Sequence, residues 1–284
     1  MANLQEIRRR ITSVKSTQKI TRAMKMVAAA KLHRAHDLLL NTRPYAYHMC
    51  ELVAGLITQA DRQAHPLLRA ASGNRTLLIV ITSDRGICGS YNAATVQETL
   101  RRMRTTLSGR QVSLTVVGRK GIELLRRRQT PVHTCHGGIF EQHSAHTAVT
   151  IVDEFVDAFL AGRANEVVCL YNEYKSAVSQ SAVLEKLLPY EPQTHTPAEG
   201  TNWIIEPDRD AVLMRLLRTN LYAQMHRILH EAAASEQAAR MAAMDSATRN
   251  AGDVIASLSL AYNRARQDAI TREVVEVISG TEAL

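Results

Sequence analysis

From Asp208 to about Ile278 the chain carries no proline and one glycine, Gly252. A breaker-free stretch of about 70 residues predicts one helix, about 105 Å long at the usual rise. That is far beyond the globular average of about 11–12 residues. Propensity alone is a weak source of stability, so such a helix must lie against something along much of its length. Asp208 reads as its N-cap. Its middle is rich in small residues, from Ala232, Ala233, Ala234 and Ser235 to Ala242, Ala243, Ser246 and Ala247, which let another backbone approach closely.

The opposite end of the chain supplies a partner. Residues 4–58 contain one proline, Pro44, and apolar positions recur at helical spacing. Ile7, Ile11 and Val14 lead to Ile20, Met24 and Val27, then to Leu32, Ala35 and Leu39, a seam that drifts rather than holding a strict heptad. Between them stand Arg8, Arg9, Arg10, Lys15, Lys19, Arg22, Lys25, Lys31 and Arg34, against the single acid Glu6. The bland account is a solvated helix face. A solvated face usually mixes both signs, so the imbalance points to an acidic partner.

Between the ends the period changes. Residues 76–82 are a continuous apolar run of strand length, as a buried parallel strand requires. Further strands are expected at 112–117, 131–135, 166–171 and 182–188, with helices at about 92–107, 120–128 and 145–160. Strands alternating with helices imply βαβ units and a mostly parallel sheet. The expected division is an N-terminal helix (1–60), an α/β domain (75–190), a proline-rich connector (189–207) and a C-terminal helix (208–284). The terminal helices are expected to pair antiparallel. Their difference in length leaves about 20 Å of the second helix projecting beyond Met1. That tip carries Ile270, Val274, Val277 and Ile278, and exposed apolar residues there imply a partner surface.

Composition narrows the function. A formal charge of +8 allows nucleic acid, an anionic membrane or an acidic protein as partner. The basic stretch lacks interleaved aromatics, and no nucleic-acid-binding motif is present. Nucleic-acid binding therefore ranks second, and an α/β enzyme with a long dimerising coil third. No run of 18 apolar residues offers a membrane span, and the N-terminus is not a secretory signal. Cys50, Cys88, Cys135 and Cys169 fit no zinc or redox spacing and read as buried, reduced thiols of an intracellular protein.

Little points to catalysis. Ser83-Asp-Arg-Gly-Ile-Cys-Gly-Ser-Tyr-Asn92 follows the first strand, where a phosphate-binding turn would sit. It matches neither nucleotide-binding glycine pattern, so Gly86 and Gly89 read as a tight turn and a close helix–strand approach. His133, His136, His143 and His146 form a cluster without an evident ligand set, and a polar loop is the simpler account. No catalytic, cofactor-binding or metal-ligating residue is assigned.

A resemblance gathers these pieces. Ile7-Arg-Arg-Arg-Ile-Thr-Ser-Val14 and Thr17-Gln-Lys-Ile-Thr-Arg-Ala-Met-Lys-Met-Val-Ala-Ala-Ala-Lys31 stand at one end. Ser235-Glu-Gln-Ala-Ala-Arg-Met-Ala-Ala-Met244 and Tyr262-Asn-Arg-Ala-Arg-Gln-Asp-Ala-Ile-Thr-Arg-Glu273 stand near the other. Together with residues 83–92 they closely resemble the gamma subunits of F-type ATP synthases; residues 129–200 do so only loosely. The resemblance implies an antiparallel coiled coil of terminal helices with an inserted Rossmann-like domain. It implies a non-catalytic rotor stalk inside a ring of alpha and beta subunits, joined to epsilon and to a ring of c subunits. It implies a cytoplasmic-side, peripheral place at the cell inner membrane, with membrane association only through the complex. It places Met24 and Lys25 near beta-subunit lever loops, and Arg266, Gln267 and Thr271 in a catch against the stator. No cofactor and no nucleic-acid partner are implied.

Overall fold

The computed structural model describes residues 4–57, 65–69, 73–138, 145–176, 179–191, 206 and 208–282. The elements run α1 (Leu4–Ile57), β1 (Arg75–Ile81), α2 (Tyr91–Arg104), β2 (Gln111–Val117), α3 (Arg119–Arg127), β3 (Thr134–His136), α4 (Ala145–Leu160), β4 (Glu166–Tyr174), β5 (Gln180–Leu188) and α5 (Arg209–Glu282). Two compact units divide them: Ala30–Ala239, and Met1–Ala29 with Arg240–Leu284.

In the larger unit, β1 is buried along all but its first residue, because both of its faces are covered. Leu77, Ile79 and Ile81 face one core with Phe155 and Val152 of α4, Val53 and Ile57 of α1, and Leu217, Leu221 and Ile228 of α5. Leu78 and Val80 face a second core with Leu107 and Leu114. The continuous apolar run in the sequence has this cause. The sheet order is β3-β2-β1-β4-β5. β1 pairs parallel with β2 and β4, and β2 with β3, while β4 and β5 are antiparallel. The link from Tyr174 to Gln180 is too short for a crossover, so the last strand must turn back.

Both long helices form as expected. Asp208 caps α5, its Oδ2 accepting the Ala211 N–H at 3.2 Å. α1 runs through Pro44. That proline is exposed, so water can take up the hydrogen bond that the Leu40 carbonyl loses. The connector falls largely outside the described residues.

In the smaller unit the seam differs from the sequence reading. Ile7, Ile11, Val14, Gln18, Thr21, Lys25 and Ala28 form a row at strict four–three spacing on α1. Met244, Thr248, Ala251, Ile255, Leu258, Tyr262, Ala265 and Ala269 answer it on α5. Gln18 Nε2 donates to the Thr248 carbonyl at 3.3 Å, Thr248 and Thr21 hydroxyls meet at 2.8 Å, and Lys25 Nζ donates to Asp245 Oδ1 at 2.5 Å. Partners descend on α5 as they ascend on α1, so the pair is antiparallel, with a coiled-coil repeat. Ile20 and Val27, expected in the seam, are each 56% exposed. The drift came from requiring a hydrophobe at each seam position, whereas here polar side chains bond across it.

Candidate partner-contact site

The five residues singled out for partner contact sit at two separate stations. Met24 and Lys25 are half-buried on α1, and Arg266, Gln267 and Thr271 are exposed on α5. Lys25 is level with Asp245, and Arg266 lies 21 residues further along the same helix, about 32 Å at helical rise. Lys25 is already engaged within the coil. Arg249 Nη2 reaches the same Asp245 carboxylate at 3.1 Å. The Lys25 hydrogen bond, followed by the charges of Lys25 and Arg249, holds the Asp245 carboxyl below its ordinary range.

The surface around these stations is mixed apolar and basic. Ile20, Met26 and Val27 on α1 and Leu260 on α5 are 56%, 62%, 56% and 71% exposed. Arg8, Arg9, Lys15, Lys19 and Arg22 share the exposed side of α1, and Arg10 pairs with Glu6 at 2.7 Å. Beyond Ala269 every described side chain of α5 is exposed, including Ile270, Val274, Val275 and Ile278; the Val277 side chain lies outside the described residues. Sequence reasoning missed Ile20, Met26, Val27 and Leu260 as surface. The signal available was their place between the four–three seam positions.

The other candidates form internal structure. Ser83 and Asn92 lock the loop after β1, with Asn92 Oδ1 accepting the Ser83 N–H at 2.9 Å. Asp84 Oδ1 accepts the N–H groups of Arg119 at 3.1 Å and Gly138 at 2.9 Å, tying the start of α3 to the chain after β3. Gly89 makes the turn at φ 61°. The close approach belongs elsewhere: a Cβ on Gly118 would lie 2.2 Å from the Thr82 carbonyl oxygen, and one on Gly121 2.3 Å from Thr82 Oγ1. Gly86 has no such neighbour, its Cβ position clearing Lys120 Cε by 3.7 Å.

His136 Nε2 meets Glu154 Oε2 at 2.9 Å, His133 and His146 are exposed, and His143 lies outside the described residues. Among the described residues no group of three His, Cys, Asp or Glu side chains is placed to hold a metal ion. Cys88 and Cys169 are buried and Cys50 half-buried, but Cys135 is exposed, correcting the expectation of four buried thiols. It stands on β3, the edge strand of the sheet, where the middle residue turns outward.

A mostly parallel α/β unit lies in sequence between two long helices whose outer stretches pair antiparallel, with apolar and basic side chains exposed along that pair. Residues 3–284 match the family model described as ATP synthase. The ATP synthase gamma chain of Geobacter sp. (strain M21) is 45% identical over 287 residues, covering 100% of this chain and 99% of its own length. That of Geobacter metallireducens is 42% identical over 286 residues, with the same coverage of both chains. A chain in the central stalk and c-ring structure of the Tetrahymena thermophila mitochondrial ATP synthase aligns with a TM-score of 0.62 at 29% identity, covering 80% of this chain and 99% of that one. A chain of the Euglena gracilis mitochondrial ATP synthase aligns at 0.70 and 18% identity over 99% and 94%, a likeness of fold.

The chain belongs to the ATP synthase gamma chain family. It is a gamma subunit, part of the central stalk of an ATP synthase. Among its described residues no helix is long and apolar enough to cross a membrane.

Proposed function

We propose that this chain couples ion flow to nucleotide chemistry by turning, and contributes no catalytic residue itself. A c-subunit ring turns the chain together with epsilon, and the coiled coil turns within alternating alpha and beta subunits. The assembly sits at the cytoplasmic side of the cell inner membrane, and this chain is peripheral to it. The coil presents a different side to each beta subunit at each angle. It can shift their nucleotide affinities only through contacts that differ between those orientations. Met24 and Lys25 lie at the level of the lever loops, and Arg266, Gln267 and Thr271 form a catch higher on α5.

The observation that carries this reading is the outward surface of the coil. Ile20, Met26, Val27 and Leu260 are more than half exposed beside the cations Lys19 and Arg22. A coil whose seam is already filled has no internal use for exposed hydrophobes, and such a surface suits a close, partly acidic sleeve.

Two covalent ties test it. Thr21→Cys with Thr248→Cys joins the two helices at a site where the native hydroxyls are 2.8 Å apart. The helices turn together, so ATP hydrolysis by the complex survives that disulfide. Val27→Cys joined to a cysteine on a neighbouring beta subunit blocks turning, and hydrolysis stops until the bond is reduced. Steady turnover with the second tie in place would show that the chain does not rotate.

A further inference from the structure

The buried face of α5 in the larger unit is not a plain apolar stripe. Gln224, Arg227, Glu231 and Ser235 recur along it at helical spacing and are 7%, 7%, 1% and 0% exposed. Between them they are held by α1, β4 and β5. Gln224 Nε2 donates to the Ala46 carbonyl of α1 at 2.9 Å. Arg227 Nη2 donates to both Glu185 oxygens of β5 at 2.6 and 2.8 Å, and its Nη1 to Tyr171 Oη of β4 at 3.1 Å. Glu231 accepts Arg43 of α1 from Nη2 at 2.7 Å and the Tyr174 N–H at the end of β4 at 2.9 Å. Ser235 Oγ donates to the Asn172 carbonyl of β4 at 2.9 Å. Tyr91, opening α2, donates its hydroxyl to the Ala232 carbonyl at 3.2 Å.

Stability alone does not call for this row. Burying an ion pair gains little over well-packed hydrophobic residues of similar volume, and often nothing. Directionality is what an apolar interface lacks. Leu217, Leu221 and Ile228, on the same core, would pack nearly as well with the helix rolled slightly or slid by part of a turn. A hydrogen bond weakens steeply once misaligned. Four directed anchors spread over 11 residues, about 16 Å of helix, fix rotation and axial position together.

We propose that the Gln224–Arg227–Glu231–Ser235 row is a register lock that fixes α5 against α1 and passes torque between the sheet and α5. Its members are positioning residues for coupling. The inference rests on the reading of the chain as a turning shaft. An apolar helix–sheet contact would yield under twist, and the lock makes the joint stiff.

The test holds the coil still and twists the joint. In the assembled complex, Val27→Cys is tied to a beta subunit, and a probe on the exposed thiol of Cys135 reports the angular spread of the α/β unit. Arg227→Met with Glu185→Leu and Tyr171→Phe removes the ionic anchor while keeping volume. Ser235→Ala with Tyr91→Phe removes two hydroxyls and is the milder variant. The ionic variant widens the spread by about twofold and the hydroxyl variant by less, with the melting temperature of the complex unchanged. Hydrolysis in the untied complex stays at the parent level. A parental spread in both variants overturns the lock and leaves the row a structural feature. Should the ionic variant fail to assemble, a parental spread in the hydroxyl variant alone overturns it. If the position-27 tie leaves the α/β unit turning freely in the parent, the shaft reading itself is wrong, and the lock falls with it.

Discussion

At the scale of single residues, Lys25 shows how a contact within the chain changes the meaning of a substitution. From sequence, Lys25→Glu reads as an exposed change that alters only partner contact. With Asp245 Oδ1 at 2.5 Å, it instead sets two carboxylates against each other across the coil. Lys25→Glu should therefore lower the melting temperature of the chain as well as weaken coupling, whereas Lys25→Gln should leave melting near the parent value. Thermal melts of the two variants, run beside coupling assays, separate the effects. Burial lowers the His65 pKa, with Asp210 opposing it, and burial likewise lowers that of His226. Both are neutral groups that resist protonation in the fold. Their contribution to stability is present above the unfolded value of about 6.5 and is lost as pH falls through their lower folded values. Denaturant midpoints should thus fall on acidification from pH 7 towards 5, and the fall should shrink in His226→Gln. Gly121→Ala should cost about 1–3 kcal/mol through its clash with Thr82, measured by denaturant titration. Gly118→Ala should cost more, since its φ of 101° strains any other residue. The sequence marked Gly86 and Gly89 for a tight turn and a close helix–strand approach, because glycine after a strand invites that reading. Which glycine passes Thr82 depends on the chain returning from β2, and no local pattern records it.

At the scale of elements, the two long helices were legible because Pro and Gly are so nearly absent from their interiors. The seam was only half legible. Its apolar members, Ile7, Ile11 and Val14, stand out, but Gln18, Thr21 and Lys25 look like surface residues until their partners on α5 are seen. Conversely Ile20 and Val27 look like core and face outward. Ile20→Asn should therefore change chain stability by no more than about 0.5 kcal/mol while weakening assembly with alpha and beta subunits. Melting and co-purification measured together decide this, and a large loss of stability would place Ile20 in the seam after all. Deleting residues 271–284 should leave the melting temperature unchanged, because the described side chains there are all exposed. It should impair turnover by the complex, because it removes the exposed apolar tip that faces the surrounding alpha and beta subunits.

At the scale of the whole molecule, the charge of +8 and its concentration on α1 pointed to an acidic partner before any fold was known. Lys19→Glu combined with Arg22→Glu should leave folding intact and loosen association with the head. The loss should be greater at low ionic strength than at high, because exposed charges more than about 10 Å apart are screened at 0.1 M salt. Equal loss at both salts would argue for an apolar contact instead. By itself the sequence determined the element order, the parallel core of the sheet and the long helical ends, since these follow from periodicity and breakers, which are local. The antiparallel pairing of β5 came only with the structure, which lengthens both strands and leaves a short link from Tyr174 to Gln180. The tertiary structure alone decided the seam, the close approach at Thr82 and the polar row of α5. Nothing in the sequence singled out Gln224, Arg227 or Glu231, and Ser235 counted among the small residues of the helix. They are buried because Ala46, Glu185, Tyr174 and Asn172, from 42 to 178 positions away, supply their hydrogen bonds, and a buried polar group is tolerated only where its partner is in place.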